Sequence, residues 1–447
     1  MKDKLTGKNG KILEQINENA AGADIGDEEI WLAVPEGTNE EPVRCFQTFT
    51  VDMEAAADWL VSCGVETIAM EATGIYWFVF HDILEVRGIE VFVVNGRHVK
   101  NVRGRKSDIV DCQWLQQLHT YGLLNSSFHP PTEIRAIRLL VRHRSMLVRY
   151  QAAHIQHMQK ALQLMNVKLT LVLSDVTGVT GMAIIRDIVA GQHNPERLAK
   201  HRRSGCKHSE VEIAKALTGN YSAEHLFTLE QALHLYDEYG RQIAACDQQL
   251  EARYQQLANQ SPEVSNPAPT KKRSKRRKNQ PHFDLSQYLF RIYGVDLVAV
   301  DGLDTLTVQT ILSEIGTDMS KWKTVKHFAA WLGLSPNHRI TGGKVKSRHT
   351  QKNSNRAAAA LRVAAQSLAR SQTALGHFYR QLRYRHGPAK AVTATAHKLA
   401  RIIYFMLTRR TPYLPPDIEQ VKAARQQRQL AQLEKKALKL GLKLTPI

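Results

Sequence analysis

The chain has 447 residues, 43% of them hydrophobic, and a formal net charge of +19 at neutral pH. That length accommodates about three domains, and the basic excess favours a polyanionic partner, either nucleic acid or an anionic membrane surface. No stretch approaches the ~20 consecutive apolar residues of a membrane span, and the N-terminal MKDKLTGKNGKILEQ lacks the apolar core of a signal peptide. We therefore expect a soluble, cytoplasmic protein that binds a polyanion.

The cysteines show no pattern of a disulfide or metal framework. They are scattered, odd in number and without a C-x-x-C pair: Cys45, Cys63, Cys112, Cys206 and Cys246. This distribution argues against a disulfide scaffold and against a zinc ribbon. The stretch CKH at 206–208 offers two potential zinc ligands without a second pair, so it does not predict a zinc site.

Residues 1–130 are predicted to form an α/β domain. Three short β-type runs, AGADIG, EIWLAVP and RCFQTFT, are followed by a helical stretch, VDMEAAADWLVSC. A strand (ETIAME), a helix (GIYWFVFHDILEV), a strand (EVFVVN) and a helix (SDIVDCQWLQQLHTYG, with Ser107 as candidate N-cap) complete the pattern. The order βββαβαβα, antiparallel first and then joined by right-handed crossovers, is typical of an RNase H-like fold.

Residues 131–260 are predicted to be helical. Two long amphipathic stretches, 133–165 and 229–257, favour an antiparallel coiled coil with residues 166–228 as a helical insertion at its tip. The first helix carries a set of arginines around its apolar stripe: Arg135, Arg138, Arg142, Arg144 and Arg149. This arginine face is a candidate nucleic-acid-binding surface, and the alternative is a face that is merely solvated.

Residues 261–281 are predicted to be a flexible basic linker, because Pro, Ser and Asn precede a run that includes Lys271, Lys272 and Arg273. Residues 282–411 are predicted to form a second helical domain, followed by a helical tail at 412–447. Within this domain, residues 293–316 resemble a helix-hairpin-helix, a motif that offers backbone N–H groups to phosphate.

A loop rich in basic residues and hydroxyls is predicted in the same domain. It presents Thr341 and Ser347 on either side of a Gly342-Gly343 pair. Its basic residues are Arg339, Lys344, Lys346, Arg348, Lys352 and Arg356. Such a loop suits a site for the nucleic-acid backbone or a nucleophile for phosphoryl transfer.

Four carboxylates are candidates for a metal site. Asp24 lies inside the first strand, where charges are depleted, and Glu71 ends the strand ETIAME. Asp108 and Asp111, three residues apart, share one face at the start of a helix. In an RNase H-like domain all four would meet at the carboxyl end of the sheet, where hard divalent cations such as Mg²⁺ or Mn²⁺ would offset their repulsion and serve phosphodiester chemistry. The alternative for the helical pair is solvated acids that favour the positive end of the helix dipole.

Five motifs resemble, in the same order, the DEDD-type insertion-sequence transposases, the family of the Piv invertase and the bridge-RNA-guided recombinases. They are ADIG, MEATGIYW, GRKSDIVD, GLSPNHRITGGK and ATAHKLARIIYFML. The resemblance implies a RuvC-like domain with the tetrad Asp24, Glu71, Asp108 and Asp111, a coiled coil, and a C-terminal transposase domain with a catalytic serine. It also implies recombination of donor and target double-stranded DNA guided by a structured RNA, and homodimers or homotetramers in a prokaryotic cytoplasm.

The chain departs from the family pattern at the nucleophile. Thr341 stands where the family has its serine, and Ser347 and Ser335 lie near enough to be alternatives. Two other functions stay open: a RuvC-like nuclease that hydrolyses DNA with water, and a basic nucleic-acid-binding factor without catalysis.

Overall fold

A computed structural model of the protein describes residues 14–72, 74–94, 108–262, 278–347, 349–350 and 354–442. The chain divides into two compact units, Met1–His129 and Pro130–Ile447. Within the described ranges, no helix has both the length and the apolar character that crossing a membrane requires.

The first unit is built on a mixed sheet with the strand order β3-β2-β1-β4-β5. Its strands are β1 (Ala20–Ile25), β2 (Glu29–Ala33), β3 (Val43–Gln47), β4 (Thr67–Glu71) and β5 (Glu90–Val94). Strands β1 to β3 pair antiparallel, whereas β1 with β4 and β4 with β5 pair in parallel. The described helices are α1 (Thr50–Ser62), α2 (Trp77–Val86) and α3 (Asp108–Thr120). The predicted α/β character is thus present, and the order is compatible with an RNase H-like domain.

The two faces of this sheet carry different residues. Ala23 of β1 and Met70 of β4 are buried in a core that includes Leu60 of α1 and Phe80 of α2. Side chains alternate along a strand, so the neighbours of Ala23 within β1, including Gly22, lie on the opposite face of the sheet. The opposite face is covered by α3.

Helix α3 runs antiparallel to β1. Its C-terminal end lies beside the beginning of the parallel strands, because the Gln116 side chain donates to the Ala20 carbonyl at 3.3 Å and His119 Nε2 lies 2.9 Å from the Thr67 hydroxyl. Burial lowers the pKa of His119 to about 4, so its ring is neutral near pH 7. The N-terminal turn of α3 therefore lies toward the carboxyl ends of β1 and β4. The predicted N-cap, Ser107, lies outside the described residues.

The second unit begins with two long antiparallel helices, α4 (Thr132–Leu164) and α9 (Ala223–Gln260). Cys246 contacts the Leu140 carbonyl and Gln151 donates to the Tyr236 carbonyl, so positions rise along α4 as they fall along α9. The two long helices predicted from the sequence are present, and a coiled-coil register for them stays a prediction.

Between them, residues 165–222 form a small helical layer. Its helices are α5 (Leu169–Val172), α6 (Val179–Val189), α7 (Pro195–Ala199) and α8 (Glu210–Leu217). Ile184 and Ile188 pack with Leu162 of α4 and Leu233 of α9 in one hydrophobic core. The insertion is therefore joined to both long helices through apolar contacts.

The rest of the second unit is mainly helical. Its elements are α10 (Leu285–Tyr293), a 3₁₀ turn (Leu297–Ala299), α11 (Thr305–Ile315), α12 (Val325–Trp331), β6 (Arg339–Thr341), β7 (Lys344–Ser347), α13 (Arg356–Ser367), a 3₁₀ turn (Leu368–Arg370), α14 (Ala374–His386), α15 (Pro388–Arg409) and α16 (Ile418–Lys439). Strands β6 and β7 form an antiparallel hairpin where the sequence predicted a flexible loop. Only a single 3₁₀ turn stands where the first helical run of the predicted helix-hairpin-helix was expected.

Candidate functional site

Two candidate acids end neighbouring parallel strands of the first unit. The register of β1 and β4 pairs Ala23 with Met70, so the next residues, Asp24 and Glu71, stand side by side near the carboxyl ends. Both lie on the face of the sheet opposite the core that contains Ala23 and Met70. Both are partly buried.

The first turn of α3 lies over the same edge. A Cβ on Gly22 would lie only 2.2 Å from the Cys112 carbonyl oxygen, so the backbones of β1 and α3 touch there. From Gly22 to Asp24 the strand advances about 6.6 Å, and from Cys112 back to Asp108 the antiparallel helix advances about 6 Å in the same direction. Asp111 lies on that first turn and is partly buried. Asp108 begins the helix, and its side chain is outside the described part of the chain.

The pKa of the Cys112 thiol is affected by the negative charges at this edge. Its pKa is raised to about 12, mainly by burial and in part by the negative charges of Asp24 and Asp111. Both carboxylates are therefore near enough to Cys112 to act on it electrostatically, one from the sheet and one from the helix. Their oxygens are the type of ligand that a hard divalent cation prefers, although the described acids of this edge do not bring three ligand atoms within 4.8 Å of one another.

Another cluster of metal-binding residue types lies on α2. His81, Asp82 and Glu85 bring their ligand atoms within 4.8 Å of one another, as the one such group found among the described residues. His81 Nδ1 lies 3.4 Å from an Asp82 oxygen and 3.6 Å from a Glu85 oxygen. Both carboxylates thus lie near the ring nitrogen of a buried histidine on their own helix, so we interpret the cluster as a local polar contact within α2.

Replacing Gly22 with Ala is expected to lower the free energy of unfolding by about 1–3 kcal/mol, the usual cost of overpacking. The new Cβ would meet the backbone of Cys112 and Gln116, which cannot rotate away. Urea denaturation followed by Trp fluorescence measures the effect, with Gly205→Ala as control because a Cβ there meets open space. Equal stability of the two variants would contradict the close packing of α3 on β1.

The arginine face of α4 is largely used inside the protein. Arg144 is buried, and its guanidinium forms an ion pair with Asp247 and donates to the Asn279 carbonyl at 2.9 Å. Because its donors are enclosed and bonded within the protein, Arg144 does not offer them to nucleic acid in this structure.

Arg138 and Arg142 are engaged with the C-terminal end of α11. Arg138 donates to the carbonyl oxygens of Ser313 and Glu314 at 2.9 Å each, which satisfies carbonyls at a helix end. Arg142 forms a bidentate pair with the largely buried Glu314 carboxylate, with Nη2 2.8 Å and 2.9 Å from its two oxygens. These contacts use donors of both arginines inside the protein, although Arg142 stays exposed, as Arg149 is, and Arg135 is partly exposed. Nucleic-acid binding by this face therefore stays a prediction.

The basic linker enters the described structure at its final residues. Lys271, Lys272 and Arg273 lie outside the described residues. Lys278 donates to Asp175 at 3.0 Å and to the Thr177 hydroxyl at 2.6 Å, both in the helical insertion. The end of this segment is therefore attached to the insertion.

Thr341 lies at the tip of the β6–β7 hairpin. It pairs with Lys344 across Gly342 and Gly343, whose φ angles of +56° and +71° are those of a tight hairpin turn that favours glycine. Thr341 is exposed. Two adjacent residues without side chains leave the hydroxyl accessible to a large substrate.

The alternative nucleophiles lie away from the tip. Ser347 is paired with Arg339, and its partly buried hydroxyl accepts a 3.3 Å hydrogen bond from the His349 N–H. Ser335 is partly buried just before the hairpin. Among the predicted basic residues here, Lys344, Lys346 and Arg356 are exposed. The side chains of Arg339, Arg348 and Lys352 lie outside the described residues.

In the segment predicted to be a helix-hairpin-helix, backbone N–H groups that could bind phosphate already donate to aspartate side chains. Asp296 accepts hydrogen bonds from the N–H groups of Val298 and Ala299, and Asp304 accepts one from Thr307 at the start of α11. A phosphate would have to displace a carboxylate at either position. Acidic caps thus oppose the phosphate binding that the sequence motif suggested.

Comparison with known protein families matches both parts of the chain. Residues 21–167 match a transposase model of the DEDD, IS110 type, and residues 296–380 match the model described as "Transposase IS116/IS110/IS902 family". Together the matched segments cover just over half of the chain. The chain belongs to the IS110-type transposases.

The first matched segment contains the four candidate acids, and the second contains Thr341 and Ser347. This transposase is also similar to a protein of Pseudomonas aeruginosa described as "Probable family 20 transposase". The two are 29% identical over 124 residues, which is 27% of this chain and 36% of the relative. The match therefore spans about a third of the relative's length.

Proposed function

We propose that this protein is a DNA transposase or recombinase of an insertion sequence that cuts and rejoins DNA strands. The observation that carries the proposal is the common sheet edge of Asp24, Glu71 and Asp111 in a chain of this family. Carboxylates grouped in this way repel one another, and a bound divalent cation would offset that repulsion and serve phosphodiester cleavage.

Asp24, Glu71, Asp108 and Asp111 would hold Mg²⁺ or Mn²⁺. When bound, such an ion supplies positive charge that offsets the negative charge developing on the attacked phosphate. The acids themselves orient and hold the ion through oxygen ligands, the type that both metals prefer.

The proposed nucleophile is the Thr341 hydroxyl. Its oxygen attacks the phosphorus, a bond from the threonine oxygen to phosphorus forms, and the bond from phosphorus to the leaving strand oxygen breaks. The threonine proton passes to a base, and the leaving oxygen accepts a proton. Attack on the same phosphorus by a hydroxyl of another strand releases Thr341 and rejoins the DNA, so no phosphodiester energy is lost.

The proposed partners are donor and target double-stranded DNA and a structured guide RNA. The net charge of +19 and the exposed Arg149, Lys344, Lys346 and Arg356 support polyanion binding. RNA guidance and a homodimer or homotetramer rest on the resemblance to the bridge-RNA-guided recombinases.

A second candidate function is a metal-dependent nuclease that uses water as its nucleophile. The threonine at position 341 favours it, because a β-branched hydroxyl is more hindered than the serine of the family pattern. The two functions differ in one product: only the transposase forms a covalent bond between protein and DNA.

Trapping the reaction on a nicked DNA substrate, with mass spectrometry of the DNA-linked peptide, tests the proposal. We expect the link on Thr341, its retention in Thr341→Ser and its loss in Thr341→Val, which keeps the shape without the hydroxyl. Ser347→Ala is the matched control and should retain the link. A link on Ser347 or Ser335 would refute the assignment, and cleavage without any link would favour the nuclease.

A further inference from the structure

A cleft of about 1000 Å³ opens in the second unit beside the base of the hairpin. Its walls come from α15, from Phe378 of α14 and from the segments that flank the hairpin. Those flanking segments are joined by a β-bridge between Pro336 and Thr350 and by a 3.0 Å hydrogen bond from the Asn337 N–H to the His349 carbonyl. The cleft is therefore walled by paired backbone on one side and by packed helices on the other.

One face of α15 supplies most of the charge. Lys390, His397, Lys398 and Arg401 all line the cleft, as expected for residues that recur on one face of a helix after one or two turns. The opposite face of the same helix, which includes Leu399, is buried in the core of the unit. His349 adds a further base from the hairpin side, and no Asp or Glu is among the described residues that line the cleft.

The floor of the cleft is apolar and aromatic. Phe378, Ile402 and Phe405 contribute to it, and the Lys398 ammonium lies 4.3 Å from the centre of the Phe378 ring. Each of these three apolar side chains is only partly buried, so it still offers surface to a ligand. A planar apolar ligand can lie against this floor with an anionic group at the wall of bases.

Two bases in the cleft are held in an unfavourable environment for their charge. Burial lowers the pKa of both His397 and Lys398, and the charge of Arg401 lowers both further. An anion bound between these side chains would offset the repulsion and favour the protonated forms. The cleft is thus electrostatically complementary to a phosphate.

We propose that this cleft binds one unpaired nucleotide of a DNA strand, with its phosphodiester on Lys398 and Arg401 and its base against the apolar floor, at the edge of Phe378 that the Lys398 ammonium leaves open. A paired base in a duplex is stacked on both sides and cannot offer its face to an aromatic side chain, so the ligand is single-stranded or flipped out. The inference rests on the proposed function, because the hairpin that flanks the cleft carries the candidate nucleophile. Because that nucleophile would act on DNA, we propose DNA and not RNA as the strand in the cleft.

The test is binding of full-length protein to a fluorescein-labelled DNA 12-mer, as a single strand and as a duplex, by anisotropy. In Lys398→Gln/Arg401→Gln we expect single-strand affinity to fall by about tenfold or more and the log–log salt slope to decrease by about 0.7, the value for one lost phosphate contact. Phe378→Leu should weaken the single strand by about tenfold, within the usual range for stacking, and leave the duplex nearly unchanged. Lys326→Gln/Arg428→Gln, which removes the same charge from exposed positions outside the cleft, should change neither by more than about twofold.

Three results would overturn the proposal. The first is an equal loss of affinity in the cleft and control double variants, which would mean that only net charge matters. The second is an equal effect of Phe378→Leu on duplex and single strand, which would exclude stacking. The third is an RNA 12-mer of the same sequence that binds more tightly and is weakened more by the cleft variants, which would assign the cleft to RNA.

Strand cleavage, measured in parallel, separates this inference from the proposed function. Asp24→Ala should bind the 12-mer as the unaltered protein does, although it is expected not to cleave. If the unaltered protein cleaves DNA but the cleft variants bind the 12-mer as tightly as it does, the cleft inference is rejected and the proposed function is not affected.

Discussion

Replacing Asp24 with Asn should reduce Mg²⁺-dependent strand cleavage at least about a hundredfold, the usual loss when one group that stabilises transition-state charge is removed. The amide keeps the size of the side chain and removes the charge that acts on Cys112 together with Asp111. Because one of several like charges is gone, the free energy of unfolding should not fall. Cleavage of a labelled substrate and urea denaturation measure the two effects.

The matched control for this variant is Glu36→Gln, an exposed carboxylate in a turn of the same unit. It should cleave at the unaltered rate. Cleavage by Asp24→Asn at that same rate in the presence of Mg²⁺ would remove the basis for a metal site at this edge.

The second large effect is expected at the buried pair of Arg144 and Asp247. Replacing either residue alone, as Arg144→Met or Asp247→Leu, should lower the free energy of unfolding by about 3–5 kcal/mol, because the partner is left as an unpaired buried charge. Asp247 also accepts a hydrogen bond from the His282 N–H, so its loss leaves three donors without their acceptor: Arg144 Nε, Arg144 Nη2 and the His282 N–H. The double variant should recover most of the loss, since two apolar side chains replace two charges.

Urea denaturation of the four proteins gives the coupling energy of the pair. Arg241→Met is the control, because Arg241 pairs with Glu238 on the exposed surface of α9, where such a pair contributes about 1 kcal/mol or less. If Arg144→Met were no more destabilising than Arg241→Met, the pair would not be the buried contact described here.

The strand and helix order of the first unit could be predicted because its signals are local. Alternating apolar residues, helical spacing and punctuation by glycine and proline each act within a few residues. Asp24 could be singled out as a candidate site residue for the same reason, since a charged residue is unusual among the apolar residues of a buried strand. The contact of Gly22 with α3 could not be predicted from the sequence, because a glycine in a strand does not show which element packs against it.

The internal partners of the α4 arginines could not be predicted, because those partners are distant in sequence. Glu314 lies 172 residues from Arg142, and Asp247 lies 103 residues from Arg144. Periodicity along one helix gives the side of the helix on which a side chain lies, but not what that side packs against. A basic stripe beside a buried acid and a basic stripe in water have the same sequence pattern.

The hairpin and the cleft were missed for related reasons. The β6–β7 hairpin has the Gly-Gly turn that often joins two strands, but its charged strands are short and exposed, so the basic character dominated the interpretation. The cleft needs α14, α15 and the flanks of the hairpin together, and a single helix such as α15 shows only one of its walls.

The attachment of residues 278–282 bears on how the C-terminal part of the second unit is held in place. Lys278 is bonded to Asp175 in the insertion, and the His282 N–H is bonded to Asp247 of α9. The chain thus leaves α9 at its end and contacts the same helix again at residue 282, so the start of α10 is positioned by two contacts that lie in different elements. A substitution that removes one of them, such as Lys278→Gln, would therefore leave the backbone contact of His282 in place.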